Sequence, residues 1–156
     1  MKIDSSAAMV SFAFSLTGGD RASGEKIFQT DLSAQCTRCH RIGNKGSEIG
    51  PALTTISKER DQQHLLRSIV HPSADIEKKY FTQAVLTDSG RVVRGVIKSE
   101  NDIETIVIDS SGKEIKVPND EIEDILDSKI SLMPDMTETL SPRQVRDLVA
   151  FLGSLK

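Results

Sequence analysis

Cys36-Thr37-Arg38-Cys39-His40 (CTRCH) is the stretch on which the reading of this 156-residue chain turns. Its two cysteines are the only ones in the sequence. A disulfide scaffold needs more thiols in a chain of this length. Zinc needs at least two further ligands, and His64 and His71 lack the paired spacing that would supply them. A thioredoxin-type pair belongs at a strand-to-helix junction of a βαβ unit, whereas polar, glycine-rich GNKGSEIGP follows here over residues 43–51. The remaining reading of C-x-x-C-H is covalent haem attachment, with a bare dithiol or metal site as the alternative. Two thiols add to the two haem vinyl groups, the spacer spans the porphyrin edge, and the next residue, His40, lies under the iron. Shuffling this composition produces the pattern in roughly one chain in four thousand, so the signal is specific.

Composition bounds the rest. Twenty basic against 23 acidic residues leave a net charge of -3, which argues against a general nucleic-acid binder. Hydrophobic residues at 37% and charged residues at 28% are ordinary for a globular chain. With no Trp, one Tyr and five Phe, the core is aliphatic. No run reaches the ~18 apolar residues of a membrane-spanning helix. Residues 7–16 are apolar like the middle of a signal peptide. The preceding segment, however, holds one Lys and one Asp, and no A-x-A site follows. Residues 1–17 therefore read as a lead-in or the end of a preceding domain, and residues 18–156 as the domain proper.

Around the motif the text is helical. Residues 20–32 read as a short helix, with Gly24, Ile27, Phe28 and Leu32 near one face. Residues 41–54 read as a loop broken by Gly43, Gly46, Gly50 and Pro51. Residues 61–70 read as a helix with Asp61 as N-cap, Leu65, Leu66, Ile69 and Val70 apolar, and Pro72 at its exit. Ser141-Pro142-Arg143-Gln144 starts a last helix with Ser at N-cap, Pro at N1 and Gln at N3. Its apolar face is Val145, Leu148, Val149, Leu152 and Leu155, with Phe151 beside it. Arg143, Arg146 and Asp147 are expected to face solvent.

Between those helices the character changes. FTQAVLT, RVVRGVIKS, DIETIVIDS and KEIKV, over residues 80–117, are strand-like runs separated by turn signals about ten residues apart. A fifth strand is expected around residues 124–128. The fold class is α+β: a helical domain interrupted over about 80–128 by a small antiparallel SH3-like or meander insert. Arg91, Arg94, Glu104 and Glu114 read as a solvated face of that insert.

The pattern resembles class I cytochrome c. GEKIF before CTRCH and DLVAFL near the end look like that family's crossing terminal helices, which places Gly24 and Phe28 against Leu148 and Phe151. GPAL at residues 50–53 looks like the segment whose carbonyl, here Pro51, accepts the Nδ1 proton of the haem histidine, although a plain loop proline reads the same way. SLMPDM resembles the family's ligand loop. It offers Met133 as sixth ligand because Pro134 stiffens the loop behind it, with Met136 as competitor and a purely structural Met as the alternative for either. His64 reads as solvated, and His71 is the more credible of two weak alternative ligands. A longer string, from GGDRASGEKIF through HPSADI and TDSGRVVRGVI to DLVAFL, is similar to planctomycete and verrucomicrobial haem-binding domains. It departs at His71, where an acidic residue is expected.

The resemblance implies one haem c per chain, bound through Cys36, Cys39, His40, Pro51 and Met133, with iron held by His40 and Met133. It implies electron transfer rather than enzymatic catalysis, in a periplasmic or otherwise extracytoplasmic setting. The expected redox partner is a fused or neighbouring dehydrogenase, and self-association through the β insert is a further expectation. The competing function is a haem-based sensor in which Met133 is displaced by a small ligand.

Overall fold

The computed structural model describes residues 9–156; the first half of the lead-in lies outside the described residues. The described residues form two compact units, one of residues up to 74 together with 134–156 and the other of residues 75–133.

The first unit is helical, with α1 at Arg21–Thr30, α2 at Gln62–Val70 and α3 at Pro142–Leu152. Each helix starts where a side-chain oxygen captures a free N–H of the first turn. Asp20 accepts from Ser23 N at 2.6 Å and Asp61 from His64 N at 2.8 Å. Ser141 and Gln144 form the reciprocal capping box, with Pro142 at the position that needs no donor. Such a cap contributes about 1 kcal/mol. The buried face of α2 is Leu65, Leu66, Ile69 and Val70, as its periodicity predicts. Between α1 and α2 the chain is mostly loop, with a two-residue ladder of β1 (Arg41–Ile42) and β2 (Lys45–Gly46).

Helices α1 and α3 meet backbone to backbone. A Cβ on Gly24 would lie 2.1 Å from the Asp147 carbonyl oxygen and 2.7 Å from Phe151 Cβ, so only glycine permits this approach. One turn on, the Phe28 and Phe151 rings pack with centroids 6.0 Å apart, tilted by 51°. Leu148 is buried beside them. Residues from the lead-in join the same core. Phe12 and Ser15 are buried, and Ser15 Oγ donates to the Pro142 carbonyl at 3.3 Å.

Two expectations about this unit are corrected. Leu32 is not on the helix face, because α1 stops at Thr30 and Leu32 is 86% exposed. Asp147 does not face solvent; it is 5% exposed, and its Oδ1 accepts the Asp20 N–H at 2.9 Å. The backbone donor at the start of α1 supplies the partner a buried carboxylate requires.

The second unit is a five-stranded antiparallel sheet. Its strands are β3 (Phe81–Thr87), β4 (Val92–Glu100), β5 (Glu104–Ile108), β6 (Glu114–Pro118) and β7 (Ile122–Ser131), in spatial order β6-β5-β4-β3-β7. The first four make a meander. β7 is longer than the expected fifth strand and returns to pair with β3, not with β6. Val85, Val93, Val107 and Val117 form the core, with Ile97, Ile115, Ile122 and Ile125 packed against it. Asparagine and aspartate side chains close the turns. Asn101 Oδ1 accepts from Ile103 N and Glu104 N, and Asp109 Oδ1 accepts from Ser111 N and Lys113 N. The charged face carries the exposed pairs Lys98–Glu114 and Lys116–Glu104, which add little to stability.

Replacing Gly24 with Ala is expected to cost about 2 kcal/mol or more, because the new methyl meets a helix backbone and not a movable side chain. Ser141→Ala, which removes only a cap, should cost about 1 kcal/mol. Thermal unfolding of the two variants checks the order, and a Gly24→Ala protein as stable as the parent would contradict the crossing.

Candidate functional site

The site is built by the residues that follow α1. Asp31 Oδ1 accepts from Ser33 N at 2.9 Å and Ala34 N at 2.8 Å, turning the chain as the helix ends. Gln35 adopts a left-handed conformation with φ of 47°, and a 3₁₀ turn follows at Cys36–Arg38. Cys39 N and His40 N both donate to the Cys36 carbonyl, at 3.2 and 2.9 Å. The two cysteines are thus held one tight turn apart, unbonded and half-buried.

His40 is fixed from the far side of the loop. Its Nδ1 lies 2.8 Å from the Pro51 carbonyl oxygen. A carbonyl can only accept, so Nδ1 carries the proton and Nε2 keeps its lone pair. Burial pushes the imidazole pKa down, and the Pro51 hydrogen bond opposes this with a smaller pull upward. Gly50 lies along the ring: a Cβ there would come within 2.9 Å of His40 Cε1 and 3.1 Å of Nδ1. The loop is itself tied down, with Gly50 N donating to the Cys39 carbonyl at 2.7 Å and Leu53 N to the Arg41 carbonyl at 2.8 Å. In the sequence Gly50 stood as a breaker and as the first residue of GPAL, and neither reading put it against the histidine ring. Its contact with the ring is the feature that sequence reasoning missed, and the adjacent Pro51 was the one hint of it.

The electrostatics separate the competing chemistries. Burial raises the Cys36 thiol to about 11 and also raises Cys39. Thiols used for disulfide exchange are shifted the opposite way. Among the described residues no three of His, Cys, Asp and Glu gather around a common point. The cysteine pair therefore lacks the further ligands of a tetrahedral zinc site. The arrangement offers two neutral thiols and one imidazole with a free, oriented Nε2.

Of the sequence-predicted site residues, Cys36, Cys39, His40 and Pro51 come together in this loop of the helical unit. Met133 is the last residue of the sheet unit; it is half-buried, and its N–H donates to Ser131 Oγ at 3.1 Å. Met136 sits in a 3₁₀ turn of the helical unit, 4% exposed within that unit's core. His64 lies in the first turn of α2 and is half-buried rather than fully solvated; His71 follows the last turn, its N–H bonded to the Arg67 carbonyl.

The family model described as Cytochrome c matches residues 22–156. The chain belongs to the cytochrome c family. A search of curated proteins finds no match. Membership brings covalently attached haem c with its iron, and haem-based electron transfer. The residues present fit that group: two thiols one turn apart for the thioethers, and a histidine next to them with its metal-binding nitrogen unprotonated. No described helix of this cytochrome is long and apolar enough to cross a membrane.

Two outcomes follow from the loop. Gly50→Ala should push the imidazole off Pro51, costing roughly 1–3 kcal/mol and removing the protected Nδ1–H resonance from the proton spectrum of the reduced protein. An unchanged resonance would contradict the contact. The pH dependence has a definite sign. Because His40 binds its proton less readily folded than unfolded, its contribution is complete above about pH 6.5 and is lost as pH falls through its lowered folded value. Denaturant unfolding of the haem-free chain between pH 7.5 and 5, where no iron occupies Nε2, should show stability falling towards acid.

Proposed function

We propose that this cytochrome is a one-electron carrier in which Cys36 and Cys39 hold haem c through thioethers and His40 and Met133 ligate its iron. The single observation that supports this most is the Nδ1–H of His40 committed to Pro51 at 2.8 Å. That bond leaves Nε2 as the only basic ring nitrogen and strengthens it as a ligand. Haem, when bound, supplies the one-electron couple. The chain would hold it at two covalent points, Cys36 and Cys39, and fixes the imidazole through Pro51 and Gly50. Met133 is preferred to Met136 because Met136 is buried in the helical unit's own packing, whereas Met133 precedes the stiffening Pro134 and retains exposure. A thioether ligand favours ferrous iron and raises the potential relative to two imidazoles.

The finer setting is proposed on the resemblance. The sequence string over residues 18–155 resembles the planctomycete and verrucomicrobial haem-binding domains, and on that resemblance we read the sheet unit as their β-rich insert. On that reading the protein works outside the cytoplasm and passes electrons for a fused or neighbouring dehydrogenase.

Optical spectra of the protein matured in a host that attaches haem c test the proposal. Colour should stay with the denatured chain, and the ferric form should show the weak long-wavelength band of sulfur-to-iron ligation. Met133→Ala should abolish that band and Met136→Ala should retain it. A colourless product, or a band that survives Met133→Ala, overturns the assignment. Rapid carbon monoxide binding by the reduced parent protein would favour the sensor reading instead.

A further inference from the structure

Among the described residues the sheet unit has two open edges, β6 and β7. An open edge pairs with another strand unless something blunts it. β6 is blunted. It has five residues, it ends in Pro118, which has no N–H, and its Glu114 and Lys116 are held in ion pairs. β7 has ten residues and no proline, and two of its apolar side chains lie open, Leu126 at 51% and Ile130 at 58% exposure. The direction of its backbone groups follows from β3. Thr87 N donates to the Arg91 carbonyl, on the β4 side, at 2.9 Å. Alternation then turns the N–H groups of Leu86 and Ala84 towards β7, and their partners Asp124 and Leu126 face back to β3. Ile125 and Asp127 are left facing outward. The Ile125 N–H accordingly donates to a side chain, Asp124 Oδ1 at 2.8 Å.

We infer that β7 is a docking edge for a second copy of this chain, the two β7 strands running antiparallel about a two-fold axis at Leu126. Such an axis sets one residue opposite itself, and charge and backbone select which. Centring on Asp124 or Asp127 sets like charges face to face, and centring on Ile125 sets Glu123 against Asp127. Centring on Ser128 needs a regular ladder through Lys129, whose left-handed backbone, with φ of 51°, prevents it. Centring on Leu126 uses the stretch 124–128, before that break. Leu126 then meets Leu126 of the second copy in a non-hydrogen-bonded pair, the kind whose Cα atoms come about 4.5 Å apart. On either side the outward-facing Ile125 and Asp127 exchange backbone hydrogen bonds, so Ile125 N–H trades its side-chain acceptor for a strand. Glu123 falls opposite Lys129 of the second copy at both ends. The exposed leucine is thereby covered, and opposite charges flank it.

Sedimentation of the haem-loaded full chain over micromolar to millimolar concentrations tests this. A reversible dimer is expected. Leu126→Lys sets two charges together at the axis and should weaken the dimer at least tenfold. Glu123→Lys should weaken it as well, by setting Lys against Lys129. Adding Lys129→Glu to that variant should restore it, a rescue that a general loss of folding could not give. All three positions are exposed, so the optical spectrum should stay that of the parent. A chain that stays monomeric at every concentration, a dimer indifferent to Leu126→Lys, or a charge-swapped double variant no tighter than Glu123→Lys alone overturns the proposal.

Discussion

A backbone carbonyl, that of Asp147, lies where a side chain at residue 24 would begin, and the helical unit is arranged around that contact. It brings chain segments more than 120 residues apart into van der Waals range and fixes where α1 can lie on α3. Phe28 and Phe151 then fill the space on one side. On the other, Asp147 turns inward because the Asp20 N–H is there to receive it. The close approach and the buried carboxylate are one feature: a bulkier residue at 24 would lift α1 away and leave the acid without its donor. An uncompensated buried carboxylate costs far more than the hydrogen bond gained by satisfying it.

From that fixed helix the site follows by short steps. The end of α1 sets the Asp31 turn, the turn sets the left-handed Gln35, and the 3₁₀ turn after it sets the cysteine spacing in space. Nothing in this run depends on a long side chain, so each step has few alternatives. The imidazole is the one group with a free torsion. Pro51 removes that freedom by holding Nδ1, and Gly50 by leaving no gap beside the ring. A ligand oriented before the metal arrives loses little entropy on binding it, which is the physical reason to build the site on a tied loop.

Much of this was legible in the residues, and unevenly so. Helix starts were readable because caps are local chemistry: Asp61, Ser141, Pro142 and Gln144 act within four positions of themselves. The strands were readable from alternation and from turn residues at regular spacing. CTRCH was readable because its chemistry demands adjacent residue types. Asp147 was not, since an acid on an amphipathic helix is ordinarily solvated and its donor lies 127 positions away. Leu32 misled for the converse reason. It falls in helical phase, but Asp31 ends the helix first by accepting from the N–H groups of Ser33 and Ala34. The pairing of β7 with β3 was hidden as well, because periodicity reports which face a strand buries and is silent on its neighbour.

The sheet unit shows how one domain tolerates so long an excursion. The chain leaves the helical unit after Ala74 and returns at Pro134. The entropy cost of closing such a loop grows only with the logarithm of its length. What must be met residue by residue is the ordering of the excursion itself. Val85, Val107 and Val117, each at most 1% exposed, meet it with a core drawn wholly from that segment. Its hairpins close through Asn101 and Asp109, which bond backbone groups within four residues of themselves. The unit thus draws its stability from contacts inside residues 75–133. Within the helical unit, a change at Gly50 acts on the Cys36–His40 loop directly, and one at Gly24 acts on it through the position of α1.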